Sequence, residues 1–284
     1  MSPVVEEIRL SLPHIELAAH IFGPEDGLPV IALHGWLDNA NSFARLAPKL
    51  SGLRIVALDL AGHGHSDHRP RGAGYALADY AFDVLRVAEQ LGWERFALLG
   101  HSLGAIVSVV VAGSFPERVT HMALIDGIVL RSGPEGDTAE RMGQALQAQL
   151  GLEHKRKSVH PTLDRAVEAR MKGVVAVSRE AAELLAQRGL MPVPGGYSWR
   201  SDSRLTLPTP LRMTDEQAMS FIRRVNCPTT LVVAEQGMLA SHPELLDRLP
   251  FTLERLAGGH HLHLNDEAGA ILVADCFNRF FAVP

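Results

Sequence analysis

The pentapeptide Gly100-His101-Ser102-Leu103-Gly104 sets a serine between two glycines at the spacing of a sharp strand-to-helix turn. Such a turn lifts the serine hydroxyl clear of a sheet. The residue at its apex holds a strained backbone conformation, and side chains two positions to either side would collide, so glycine is required there. Phe96 to Leu99 before the turn and the apolar run after it read as the strand and the buried helix that this geometry needs. A serine hydroxyl is a weak nucleophile at neutral pH and depends on an adjacent base, normally a histidine oriented by a carboxylate. Downstream, Gly258-Gly259-His260-His261-Leu262-His263 follows the last strand-like run. His260, directly after two glycines that can form a tight loop, is the expected base. His261 is the alternative in a register shifted by one, and His263 is expected to pack or hydrogen-bond at the start of the final helix.

Attack on a carbonyl places negative charge on its oxygen, which calls for two N–H donors aimed at one point. Leu103, the residue after the serine, is expected to give one. The loop His34-Gly35-Trp36 is expected to give the other, from Trp36. His34 itself reads as a buried, hydrogen-bonded histidine that holds this loop. The segment Asp59-Leu60-Ala61-Gly62-His63-Gly64-His65-Ser66-Asp67-His68 has the residue types of a metal cluster, but its His-x-His pair lacks a third ligand at a familiar spacing. No metal site is expected.

The elements that must position these groups follow from periodicity. Val30 to Leu33, Arg54 to Leu58, Phe96 to Leu99 and Met122 to Ile125 read as buried strands, and Asn41 to Leu50, Leu77 to Leu91 and Leu103 to Phe115 as helices between them. That alternation predicts an α/β fold with a mostly parallel sheet covered by helices. From Leu130 to Arg212 the texture changes to Arg, Gln, Glu and Ala with helical periodicity and no buried-strand run, as in an inserted segment. It closes on Met191 to Gly196, crowded with Pro and Gly, then Tyr197 to Leu207, Pro208 and Pro210, all of which read as loop or short hairpin. Strand texture returns at Thr229 to Ala234 and Phe251 to Leu256, and Asp266 to Phe281 reads as a closing helix with Asn265 as its N-cap.

The chain has 284 residues, 46% of them hydrophobic and 21% charged, the composition of a globular protein with a sizeable core. A formal charge of -5 gives no electrostatic reason to expect nucleic acid or an anionic membrane as partner. No run approaches the roughly 20 apolar residues of a membrane span. Met1 to Glu7 lacks the basic, apolar pattern of a secretory signal, and Cys227 and Cys276 have no metal-ligand spacing, so two free thiols and a cytoplasmic location are expected.

With His34-Gly35-Trp36, Asp59 to Ser66, the serine turn and Gly259-His260 in this order, the chain resembles the α/β-hydrolase superfamily over nearly its whole length. His34-Gly35-Trp36-Leu37-Asp38-Asn39-Ala40 and Gln187-Arg188-Gly189 are similar to the serine hydrolase-like protein family within it. The resemblance implies an eight-strand sheet, a core of residues 1–126 and 213–284, and a helical cap over 127–212 that walls the pocket. Trp199, Arg200 and Arg204, near the end of that cap, read as a surface hairpin or as side chains that reach back toward the pocket. Superfamily members usually carry an aspartate in a Gly-x-x-Asp pattern, where this chain has Ala234-Glu235-Gln236-Gly237. Three readings follow: Asp126 supplies the carboxylate, Glu235 does so from an offset position, or the acid is absent.

The resemblance implies a cofactor-free serine hydrolase acting on a small-molecule ester-type substrate through an acyl-enzyme. Thioesterase, lactonase or C–C bond hydrolase activity would use the same residues. The missing aspartate also admits a catalytically weak ligand-binding protein of the same fold.

Overall fold

The sequence runs richest in Val, Ile, Leu and Ala are buried on both faces, and this places them at the centre of a sheet rather than at its edge. In the computed structural model, which describes residues 6–128, 135–154 and 156–282, these runs are the inner strands of an eight-stranded sheet. The strands are β1 (Glu6–Ser11), β2 (Glu16–Phe22), β3 (Leu28–Leu33), β4 (Leu53–Leu58), β5 (Phe96–His101), β6 (Val119–Ile125), β7 (Leu190–Val193), β8 (Gly196–Trp199), β9 (Thr229–Gln236) and β10 (Thr252–Gly259). The sheet order is β1-β2-β4-β3-β5-β6-β9-β10, and β7 and β8 form a separate antiparallel pair. From β4 to β10 neighbouring strands pair in parallel, whereas β1, β2 and β4 pair antiparallel. The expected mostly parallel eight-strand sheet is therefore the sheet found.

The helices are α1 (Leu77–Gln90), α2 (Leu103–Ser114), α3 (Thr138–Leu150), α4 (Leu163–Met171), α5 (Arg179–Gly189), α6 (Asp215–Arg224), α7 (Pro243–Leu246), α8 (Leu262–Asn265) and α9 (Glu267–Phe281). One apolar cluster, containing Ile31, Leu98, Val107 and Leu231, fills one face of the sheet under α1, α2 and α6. A second, containing Val30, Phe43, Leu99 and Phe277, fills the other face under α9. Helix α2 is apolar nearly all round because it is buried, with Ala105, Val107 and Val111 at 0% exposure. Between β6 and β9 the chain leaves the sheet. There α4 and α5 build a small core of their own around Val167, Ala181 and Leu185, against Leu264 of α8.

Several expectations need correction. Asn41 to Leu50 is not one helix but two 3₁₀ turns, Ala40–Phe43 and Ala47–Lys49. Pro48 has no N–H for a continuous helix, and the Asn39 side chain caps the first turn by accepting from the Asn41 N–H at 3.1 Å. The N-cap of the closing helix is Asp266, which accepts from Gly269 N–H at 2.7 Å, and not Asn265, whose Oδ1 accepts instead from Ser178 N–H. Strands β1 and β2 have no counterpart in the sequence reading. The expected hairpin is β7–β8, turning at Gly195 with φ +89°. Leu130, where the sequence texture changes, and residues 1–5 lie outside the described residues. Among the described residues no helix is long and apolar enough to cross a membrane.

Candidate active site

Ser102 stands between β5 and α2 with φ +51° and ψ −113°, a conformation that L-residues avoid unless the surroundings enforce it. Three glycines make it possible. A Cβ on Gly104 would lie 1.9 Å from the Leu33 carbonyl oxygen, one on Gly100 2.6 Å from Ala105 Cα, and one on Gly127 2.6 Å from the Ser102 carbonyl oxygen. The first two are the glycines of the pentapeptide; Gly127 had no sequence signal. A half-open cavity of about 430 Å³ adjoins the serine, walled by Ile106, Ile128, Met219 and Leu239 and rimmed by His242 and Arg248.

His260 follows β10 and is buried. Its Nδ1 lies 2.6 Å from Asp126 Oδ2, the distance of a charge-assisted hydrogen bond in which the imidazole N–H donates. Asp126 directly follows β6, with φ +42°. Its carboxylate also accepts from Met238 N–H at 2.7 Å and Leu239 N–H at 3.4 Å. A Cβ on Gly237 would lie 2.3 Å from Asp126 Oδ2, so this carboxylate fills the space that a side chain at Gly237 would need. Glu235 is exposed on β9 and takes no part in the contact. His260 is tied to the turn of the serine from behind, since His101 Nε2–H donates to its backbone carbonyl at 3.0 Å.

Leu103 is the first residue of α2, so its N–H has no acceptor within the helix. Trp36 lies in the loop after β3, with its indole half-exposed and donating to Leu205 O at 2.8 Å. The loop is held by buried groups. His34 Nδ1–H donates to Gly35 O at 2.7 Å while its Nε2 accepts from Leu60 N–H at 3.0 Å, and burial pushes its pKa down. His63 Nε2 accepts from Leu37 N–H, and burial lowers its pKa to about 3. Both rings act as neutral struts.

Asp59 accepts from Ala40 N–H and His65 N–H at 2.7 Å and from Arg188 Nε at 2.7 Å. The Asp59 to His68 segment thus builds the wall and braces α5. Arg188 also pairs with Glu7, where burial alone would raise the carboxyl but bonds from Arg188 and His65 outweigh it and hold it at about 2. Arg204 turns away from the cavity to Asp202 and to the carbonyls of Arg69, Pro70 and Ala73. Arg200 Nε donates to Leu190 O, and Trp199 packs against Gly189.

His261 and His263 have partners of their own. His261 Nε2–H donates to Asp38 Oδ2 at 3.1 Å, and His263 Nε2 lies 3.1 Å from Ser42 Oγ, with burial pushing the His263 pKa down to about 3. Asp38, His101 and Arg170 had no place in the sequence reading of the site. The available signal was the density of histidines at 260–263, since buried imidazoles require partners.

The family model described as alpha/beta hydrolase fold matches residues 29–266. A serine hydrolase-like protein of Danio rerio is 31% identical over 290 residues, 97% of this chain and 89% of its own length. Serine hydrolase-like protein 2 of Homo sapiens is 34% identical over 228 residues, covering 79% of this chain and 70% of its own. Among solved structures, a hypothetical protein from Pseudomonas aeruginosa PAO1 is 67% identical with a TM-score of 0.96, over 98% of this chain and 99% of that one. The thioesterase domain from the curacin biosynthetic pathway is 25% identical with a TM-score of 0.83, over 96% and 99%. The chain therefore belongs to the α/β hydrolase fold family and, within it, to the serine hydrolase-like proteins.

Proposed function

We propose that this chain is a serine hydrolase of carboxylic ester type, with Ser102 as nucleophile, His260 as general base and Asp126 as the acid that orients it. The observation that carries the reading is the 2.6 Å contact of His260 Nδ1 with Asp126 beside a serine held at φ +51°. A carboxylate on Nδ1 fixes the tautomer that leaves Nε2 bare, ready to take the Ser102 proton, and it stabilises the imidazolium formed during attack. The serine oxygen bonds to the substrate carbonyl carbon, and the N–H groups of Leu103 and Trp36 receive the developing oxyanion. His260 then gives its proton to the leaving alcohol, leaving an acyl-enzyme. Water, deprotonated by the same imidazole, releases the acid and restores Ser102. No step calls on a cofactor.

The segment 127–212 is the cap over this site in the same reading, and the cavity beside Ser102 receives one apolar arm of a small-molecule ester. The likeness to a thioesterase domain favours thioesters as the second substrate class, since the same machinery serves a thiolate leaving group. The test is covalent labelling by a fluorophosphonate, together with turnover of p-nitrophenyl butyrate and its thioester analogue. Wild-type protein is expected to label at Ser102 and to turn over at least one of the two substrates. In Ser102→Ala both signals should vanish with the fold intact. Wild-type labelling with no turnover of any ester or thioester would favour a ligand-binding protein that keeps the residues without the activity.

A further inference from the structure

Behind His260 stands a set of buried groups that the proposed reaction leaves unused. Asp38 Oδ2 accepts from His261 Nε2–H at 3.1 Å and stands 3.7 Å from His101 Nδ1, while its Oδ1 accepts from Arg170 Nη2 at 2.7 Å. His101 in turn donates from Nε2 to the carbonyl of His260. A carbonyl only accepts, so the proton of a neutral His101 must sit on Nε2. Burial and the imidazoles of His263, His260 and His261 push the His101 pKa well below the usual range, in agreement with a neutral ring. Burial would raise the Asp38 carboxyl, but His261 and Arg170 outweigh it and hold it down as an anion.

Four parts of the molecule meet at this carboxylate. Asp38 belongs to the loop after β3, His101 is the chain neighbour of Ser102, His261 is the chain neighbour of His260, and Arg170 is on α4. The peptide unit joining His260 to His261 is held twice, at its carbonyl by His101 and through the following side chain by Asp38. The fit is close: a Cβ on Gly35 would lie 2.9 Å from His101 Nδ1 and 3.0 Å from Asp38 Oδ2.

We propose that Asp38 is a positioning residue for His260, joining the histidine loop to α4 through His261 and Arg170 while His101 separately ties that loop to the serine turn, so that the seating of α4 sets the placement of the imidazole. This rests on His260 being the base of the reaction proposed above. In Asp38→Asn one acceptor oxygen is left for two donors, so either His261 Nε2–H or the nearly buried Arg170 guanidinium loses its partner and the loop that carries His260 loses part of its anchoring. Without Arg170, the link to α4 is lost while the two contacts on the histidine loop remain.

The test uses the full-length chain with p-nitrophenyl butyrate and a fluorophosphonate, on Asp38→Asn, Arg170→Met and Arg170→Lys, with folding checked by thermal melting. A base displaced by roughly 1 Å costs on the order of 100-fold, so kcat should fall about 100-fold in Asp38→Asn and about 10-fold in Arg170→Met. KM should stay within about threefold in both, and the phosphonylation rate should fall with kcat, because both reactions need the same proton transfer. Arg170→Lys should restore most of the loss, and joining Arg170→Met to Asp38→Asn should add little to the latter alone. Wild-type kcat in a folded Asp38→Asn protein, or an Arg170→Met effect confined to KM, would overturn the proposal. If Asp38→Asn does not fold, the Arg170 pair decides. Turnover that survives Ser102→Ala would overturn the hydrolase reading and this proposal with it, whereas loss in Ser102→Ala beside full activity in Asp38→Asn overturns this proposal alone.

Discussion

The turn after β5 and the turn after β9 meet the same site by opposite means. At the first, five consecutive residues carry the whole geometry: the strained Ser102 and the glycines that let backbone pass backbone, Gly104 against the Leu33 carbonyl and Gly100 against Ala105. At the second, the expected aspartate is absent and Gly237 leaves its space to a carboxylate from another strand end, Asp126. A nucleophile must sit at one strained point on the backbone, so its surroundings are local and stereotyped. An orienting acid need only bring two oxygens to Nδ1 of a histidine, and any strand end at the same edge of the sheet can do so. The lesson is that a vacant motif position is evidence about space before it is evidence about lost chemistry.

The sharpest way to break this comparison is to neutralise the two carboxylates in turn. Asp126→Asn keeps the shape but replaces the anion, and if the proposed triad holds, loss of its acid in this way costs on the order of 10⁴ in kcat. Glu235→Gln, at an exposed position of β9, should leave kcat within about twofold. Turnover of p-nitrophenyl butyrate at saturation, with folding checked separately, measures both. The reverse outcome would move the acid to Glu235, and near-normal activity in both would mean that His260 works without a carboxylate.

A second pair contrasts the two kinds of glycine. In Gly104→Ala the new methyl meets the Leu33 carbonyl at 1.9 Å, backbone against backbone with nothing flexible to yield, so stability should drop by about 3 kcal/mol or more. In Gly237→Ala the methyl meets the Asp126 carboxylate at 2.3 Å, and a side chain can swing away. Stability should then change by only about 1 kcal/mol while kcat falls on the order of 100-fold, because the acid leaves Nδ1. Urea unfolding and kcat on the same samples separate the two. Equal losses of stability would remove the distinction.

What was legible in the sequence follows the same division between local and distant causes. Within β3, β4, β5 and β6 the stretches Val30 to Leu33, Ile55 to Leu58, Phe96 to Leu99 and Met122 to Ile125 are buried throughout, so each is an apolar run that can be read without its neighbours. β1 is the edge strand, where Glu6, Glu7 and Arg9 face solvent or ion pairs, and in β2 the buried run Leu17-Ala18-Ala19 is only three residues long between Glu16 and His20. Ser102, His260 and Leu103 could be singled out as candidates because the turn and the glycine-led loop mark them. Asp126 could be proposed only beside two alternatives, Glu235 and no acid at all, since nothing within reach of Gly237 in the sequence tells which strand end fills its space. Asp38 was quoted only as part of a resemblance. Its partners His101, His261 and Arg170 come from separate loops and a helix, and periodicity carries no record of such a meeting.

The finest test of the comparison moves the acid from one turn to the other. Gly237→Asp alone should be damaging, because its Cβ would stand 2.3 Å from the carboxylate of Asp126 and two anions would crowd the same donors. Asp126→Gly empties the space, and glycine accepts the φ of +42° at that position without strain. That variant should lose on the order of 10⁴ in kcat through the missing acid. In the combined protein, Asp126→Gly with Gly237→Asp, the transplanted carboxylate extends from a Cβ already within contact distance of where Asp126 Oδ2 stood, 2.6 Å from His260 Nδ1. The N–H groups of Met238 and Leu239, which point at the present carboxylate, are part of the same turn and remain near the new one. Recovery should be partial, roughly tenfold over Asp126→Gly alone, because a shift of about 1 Å in the acid still costs orientation. The kcat of the combined protein relative to Asp126→Gly is the measurement. A ratio of one or below, in a folded protein, would mean that the acid is tied to its own strand end and not to the point in space that Gly237 leaves open.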